Sequence, residues 1–193
     1  MLEASPLPYS LDALAGYMSP ETLEFHRILY GRYVDGVNAR VDVETVAQAL
    51  AIAEETGDEQ LREQAAQVHN HANFFASMAP PGKGGSPNHS LDRALRRSLG
   101  TRRAGTYAWR QAAASVFGSG WVWLVADPSG ALRIETTRNA HFPAGRAILV
   151  MDVWEHAYYL DYPTQRSAYA VDWLTKLANW DRASSIYDAA VSA

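Results

Sequence analysis

Residues 80–88 read PPGKGGSPN, three prolines and three glycines in nine positions, and neither a helix nor a strand can run through them. The break separates two stretches of different patterning. It predicts a helical unit over 1–80, a linker over 81–89 and an α/β unit over 90–193. A chain of 193 residues suits one moderately large domain or two small ones sharing a core.

Upstream of the break, residues 1–19 are punctuated by Pro, Gly and Ser and predict an extended arm. Ser19-Pro20, followed by Glu21 and Glu24, marks a helix start, because Pro is tolerated in the first turn and acids favour the positive end of the dipole. That helix is expected to reach about Asp35-Gly36. A short helix within 42–56, closed by Gly57, leads to a second long one over about 58–78, and the two long helices form an antiparallel hairpin. Downstream, 90–99 and 104–117 read as helices. WVWLVAD (121–127) and ALRIETT (131–137) flank a Pro-Ser-Gly turn and read as a β-hairpin. AILVMDVW (147–154) supplies the third strand of an antiparallel sheet, and 164–180 a closing amphipathic helix. The fold class is α+β.

Hydrophobic content of 48% provides for a packed interior. There is no cysteine, so disulfides and thiolate ligands are excluded, and any metal must be held by imidazole and carboxylate. No apolar run approaches the roughly 18 residues of a membrane span, and MLEASPLPYS has neither a basic nor an apolar leader segment. The expectation is a cytoplasmic protein that engages no membrane. A net charge of −4 argues against general nucleic-acid binding, and means that an anionic substrate must be drawn in by a local positive patch.

The segment DVWEHAYYLDY (152–162) sets Asp152 and His156 four apart among large rings. A carboxylate and an imidazole at that spacing can reach one small ion. Of the other histidines, His69 and His71 are two apart and point about 200° apart on a helix, so only one can face a given ion. Gln67 shares a face with His71, and His26, Tyr30 and Tyr33 (i, i+4, i+7) line one face of the first long helix. A lone histidine on an amphipathic helix is ordinarily a core or surface residue, and Asp152 before Val-Trp can cap a turn. The coincidence outweighs this. One histidine from each long helix, with Asp152 and His156, makes three imidazoles and one carboxylate with a position open.

DVWEHAYYLDY also resembles the signature of the iron/manganese superoxide dismutases. PLPYSLDALAGYMSPETLEFH near the start, AAQVHNH, FGSGWVWLV and LANW resemble further landmarks of that family, in its order and over nearly the whole chain. The resemblance selects His26, His71, Asp152 and His156 as ligands of one Fe, or Mn, per subunit, with solvent as a fifth ligand, and leaves His69, His89 and His141 aside. It implies disproportionation of superoxide by alternate reduction and oxidation of the metal, and a homodimer. It also implies that Gln67 tunes the solvent ligand. Iron-type members bring this glutamine from the helix, manganese-type members from the segment that reads RNAHFP here, where Ala140 stands in its place. Tyr33 resembles the gateway tyrosine, and Trp121 and Trp154 the rings around the metal. Glu155 and Tyr159 resemble residues that cross the dimer interface, and Arg166 resembles a funnel arginine.

The chain departs from the family pattern at three places. Tyr30 stands where a gateway histidine is usual, Tyr33 comes one residue early, and His69 replaces a tryptophan. A non-catalytic metal-binding or interaction protein on the same scaffold is the alternative from another class. An intact ligand set with an open position speaks against it. A zinc hydrolase is disfavoured because no HExxH motif is present.

Overall fold

The computed structural model describes residues 1–192. Helix α1 spans Pro20–Asn38, α2 Val46–Thr56 and α3 Glu59–Ala76. They are followed by α4 (His89–Leu99), α5 (Arg102–Ser115), strands β1 (Gly120–Ala126), β2 (Leu132–Arg138) and β3 (Arg146–Asp152), then α6 (Arg166–Asp172) and α7 (Trp180–Val191). The fold is α+β, a long α1/α3 hairpin beside a three-stranded antiparallel sheet of order β2-β1-β3. Among the described residues no helix is long and apolar enough to cross a membrane.

The helix starts are set by short polar side chains. Ser19 accepts from the Thr22 N–H and Asp58 from the Leu61 N–H, while Thr45 and Gln48 form a reciprocal capping box. Gly57 closes α2 in the left-handed region at φ 68°. Asp58 does a second job, pairing with Arg40 at 2.7 Å and so tying the end of α1 to the start of α3. The expected stop at Asp35-Gly36 is displaced: α1 runs through Gly36 to Asn38. Gly36 is a point of close approach, since a Cβ there would lie 2.6 Å from Gln64 Oε1 on α3. The arm before α1 coils through tight turns that bury Leu14 and Met18, and Asn38 holds Leu2 through both of its backbone polar groups.

The sheet is the floor of the core. Every residue of β1 is buried, and β3 is buried from Ile148 onward, as expected for strands covered on both faces. Trp121 pairs in register with Asp152, which sets the last residue of β3 against the second residue of β1. Beyond β3 the chain departs from the expected single helix over 164–180. It forms α6, a π-helical turn over Trp173–Leu177, a break, and then α7, which the sequence reading omits. The break is caused by tertiary pairing: Ala79 N–H donates to Leu177 O at 2.7 Å and Asn179 N–H to Ser77 O at 2.8 Å. Asn179 then caps α7 by accepting from the Arg182 N–H.

The Pro/Gly segment is stitched to the same place, with Asp181 N–H donating to Gly84 O at 3.0 Å. A Cβ at Gly84 would drive into the Ala178 carbonyl. Gly84→Ala is therefore expected to destabilise the protein by about 2 kcal/mol, read as a lowered urea midpoint, because the backbone on both sides is already pinned.

Candidate metal centre

Four elements deliver four side chains to one point. His26 comes from the second turn of α1, His71 from α3, Asp152 from the end of β3 and His156 from the 3-10 turn Glu155–Ala157 that follows it. Their ligating atoms all lie within 4.8 Å of one another. Asp152 Oδ2 is the hub, 3.1 Å from His26 Nε2, 3.2 Å from His156 Nε2 and 3.8 Å from His71 Nε2. His26, His71 and Asp152 are fully buried, and His156 is partly buried.

The orientation of each donor is fixed from behind. His71 Nδ1–H donates to the Gln67 carbonyl at 2.8 Å, which turns Nε2 toward the cluster. Trp154 N–H donates to Asp152 Oδ1 at 2.8 Å, leaving Oδ2 for the hub. The Tyr169 hydroxyl donates to the Asp152 backbone carbonyl at 3.0 Å. Ser19 N–H donates to Asp161 Oδ2 at 2.9 Å, locking the start of α1 to the chain just beyond His156. Tyr169 and Asp161 are supporting residues that motif reading misses. Both are remote in sequence from what they hold, and no local spacing signals them.

The donor set fits a cation. Nε2 of His26 and of His71 are buried without a hydrogen-bond partner among the described residues, and both aim at a carboxylate oxygen. Buried polar atoms are ordinarily satisfied. Three imidazoles and one carboxylate whose donor atoms lie within 4.8 Å of one another suit Fe, Mn or Zn. The electrostatics agree. Burial keeps both His26 and His71 neutral, the latter with its pKa lowered to about 3. Burial by itself would raise the Asp152 carboxyl, but the His156 ring, and His26 after it, outweigh this and hold it well below the usual range. Ligands in these protonation states are ready for a metal.

A wall of rings surrounds the cluster. Trp121 meets His71 edge-on at 5.1 Å, with its indole N–H donating to Asn139 O; Phe74 and Phe75 lie 5.0 and 5.2 Å from His26; Trp154 lies 5.6 Å from His156. Tyr33 is partly buried, 5.1 Å from the His71 ring. Burial, and then the Asp152 charge, raise its phenol pKa, with the Gln67 amide pulling weakly the other way. Gln67 itself is buried, and its Oε1 lacks a partner among the described residues. Ala140 is buried against α3, its carbonyl accepting from Asn70 Nδ2.

The remaining candidates lie around this core. Tyr30 is buried with its ring stacked near His71, while its hydroxyl is turned to the N-terminal arm and accepts from the Ser5 N–H. Arg166 pairs with Glu155 at 3.0 Å, donates to Tyr158 Oη, and clamps the carbonyls of Val116 and Gly118. Tyr159 is half exposed. His69 packs on Phe142 and sits beside Asn73, pointing away from the cluster, and His89 and His141 are exposed elsewhere.

Comparison with known proteins converges on one family. The family models "Iron/manganese superoxide dismutases, alpha-hairpin domain" and "Iron/manganese superoxide dismutases, C-terminal domain" match residues 2–79 and 87–186. The chain is 43% identical to "Superoxide dismutase [Fe]" of Legionella pneumophila over 93% of its own length and 95% of the relative's. It is 40% identical to the protein of that name from Synechococcus elongatus, over 98% of each. It is 36% identical to "Superoxide dismutase [Mn/Fe]" of Porphyromonas gingivalis, over 96% of this chain and 98% of that one.

The neutral, buried rings define a pH response of the metal-free protein. The folded pKa of His71 lies below its unfolded value near 6.5, so the unfolded state takes up protons first. The stabilisation from the neutral ring is complete above that value and is lost as pH falls toward 3. The depressed Asp152 carboxyl gives a loss of the same sign at lower pH. Urea midpoints of chelated protein should fall through this window, and the slope should flatten in His71→Leu.

Proposed function

The chain belongs to the iron/manganese superoxide dismutase family, and from that premise we propose that it disproportionates superoxide, two radicals and two protons giving dioxygen and hydrogen peroxide. One Fe per subunit, with Mn as the alternative, is held by His26, His71, Asp152 and His156. The observation that carries this reading is the buried convergence of three imidazole nitrogens on one carboxylate oxygen. When bound, the ion supplies a one-electron store that one superoxide fills and the next empties.

The rest is the work of the chain. Tyr33, kept protonated by burial and by the Asp152 charge, guards the approach and holds a proton at Oη. Gln67 presents its amide beside that hydroxyl and, through its backbone carbonyl, fixes the His71 ring. Trp121 and Trp154 exclude water and lower the local dielectric, so that each charge in the site acts more strongly. Gln67 on α3 together with Ala140 after β2 favours iron. Tyr30 packs the His71 side of the site and anchors the arm. The charge of Arg166 is largely offset by Glu155, so its main part is to hold the 155–159 turn against the 116–118 loop, with a modest pull on a small anion.

Residues 1–80 and 90–193 each supply two ligands, and the metal is the clasp between two units joined by 81–89. A homodimer completes the reading. Phe25, Ile28, Tyr159 and Leu160, on segments that carry metal ligands, and Phe117, on the loop that Arg166 ties to Glu155, are exposed large apolar side chains. Glu155 and Tyr159 are the residues to reach across that interface, and the cytoplasm is the expected setting.

Metal content by mass spectrometry and superoxide consumption on the same preparation test the function. Iron-loaded protein should be active and His71→Ala should lose both metal and turnover. A fully loaded centre that leaves superoxide untouched would refute the assignment. Manganese-reconstituted protein should be at least about tenfold weaker, since one mis-tuned hydrogen bond to a group that contacts the metal costs that much. Equal activity with both metals would refute the iron preference.

A further inference from the structure

Far from the metal, the α4–α5 segment combines three features that the dismutase reading leaves unused. The first is charge. Arg93, Arg96, Arg97, Arg102, Arg103 and Arg110 are six of the chain's 17 Lys and Arg residues, and no acid occurs between Asp92 and Asp127. Arg102 and Arg103 occupy the first turn of α5, which contains no acid, so they sit at the positive end of the helix dipole, where cations are disfavoured. Arg96 is paired with Asp92, whose carboxylate also lines the adjoining cavity and feels the Arg102 charge, but Arg102 forms no ion pair among the described residues.

The second feature is a cavity of about 290 Å³ beside Arg96 and Arg102. Its walls are largely apolar: Leu95 and Leu99 from α4, Trp109 from α5, Ile134 from β2, Leu174 from the π-helical turn and Trp180 from α7. The Trp109 indole N–H has no hydrogen-bond partner among the described residues.

The third is Gly105, which lines the cavity from within α5. A glycine inside a helix weakens it and ordinarily answers to a close contact or a positive φ. Neither applies here: its φ is not in the left-handed region, and a Cβ would meet Leu99 Cβ only at 3.8 Å, an ordinary contact. A side chain there would extend toward Leu99 along the cavity wall.

We propose that this cavity is a binding site for a single-chain anionic amphiphile, a carboxylate with an apolar tail of roughly ten carbons. The tail lies along Leu95, Leu99 and Trp109 past Gly105, and the carboxylate meets Arg102 at the start of α5, where it neutralises a cation that the helix dipole otherwise opposes. The site is separate from the metal, with Trp173 and Phe74 stacked between Trp109 and His26.

Calorimetric titration of the metal-loaded protein with decanoate, with decanol, and with inorganic phosphate tests the proposal. Decanoate should bind saturably, one per chain, and decanol and phosphate should each bind at least about tenfold more weakly. Gly105→Leu should weaken decanoate about tenfold by filling the cavity, with superoxide consumption unchanged as the check on folding. Arg102→Gln, an exposed change that keeps the test open should Gly105→Leu misfold, should weaken decanoate about fivefold and leave decanol unaffected. Decanol or phosphate binding as tightly as decanoate would overturn the amphiphile reading. Decanoate affinity unaltered by either variant, or no saturable heat up to about 1 mM, would overturn the site.

Discussion

A buried carboxylate is the constraint on which this structure turns. Asp152 is fully buried, with its Oδ2 facing three imidazole nitrogens, two of which have no hydrogen-bond partner among the described residues. Burying an ionised group costs several kcal/mol unless opposite charge and hydrogen bonds answer it. Among the described residues the answer is partial: hydrogen bonds from the Trp154 N–H to Oδ1 and between the His156 ring and Oδ2, with His26 and His71 kept neutral by burial. A divalent or trivalent cation completes it. A protein core that selected only for stability would not collect these groups.

The surrounding fold is arranged to bear that cost. The α1/α3 hairpin carries two of the donors at fixed spacing, held at one end by Arg40–Asp58. The other two come from a strand end and the turn after it, where β1 pairing, the Tyr169 hydroxyl and the Trp154 amide leave Asp152 little freedom. Ser19 and Asp161 join the two pairs of donors directly. Around them the aromatic wall raises the cost of every unpaired charge, and for the same reason strengthens the pull on a metal. Stability and function are in tension at one atom, and the metal resolves it.

How much could be read in advance varied with the kind of signal. Asp152 with His156 and the Pro/Gly break were legible as local chemical patterns, a His/Asp spacing and a helix-incompatible run, whereas His26 and His71 were singled out by the family resemblance and brought to the same point by the fold. The strands were legible as short apolar runs, two of them set off by a Pro-Ser-Gly turn. Gly36 misled because the same residue serves as a helix stop and as a point of close approach, and only the Gln64 side chain on the neighbouring helix distinguishes the two. Helix α7 was missed because the preceding break is made by hydrogen bonds to Ser77 and Ala79, about a hundred residues upstream. For Arg166 the family resemblance implied a funnel cation; in the fold its donors engage Glu155, Tyr158 and two backbone carbonyls, contacts that no local spacing signals.

What the sequence by itself determined was the inventory: which donors exist, that none is sulfur, which helix faces hold histidine, and where the chain must break. These follow from side-chain chemistry and from backbone rules that act over a few residues. Tertiary structure decided direction and distance. It aimed four donors at one point, turned Tyr30 toward the arm, placed Tyr169 behind Asp152 and opened a cavity beside Gly105. Those outcomes depend on contacts between residues tens of positions apart, whose energies no local window of sequence contains.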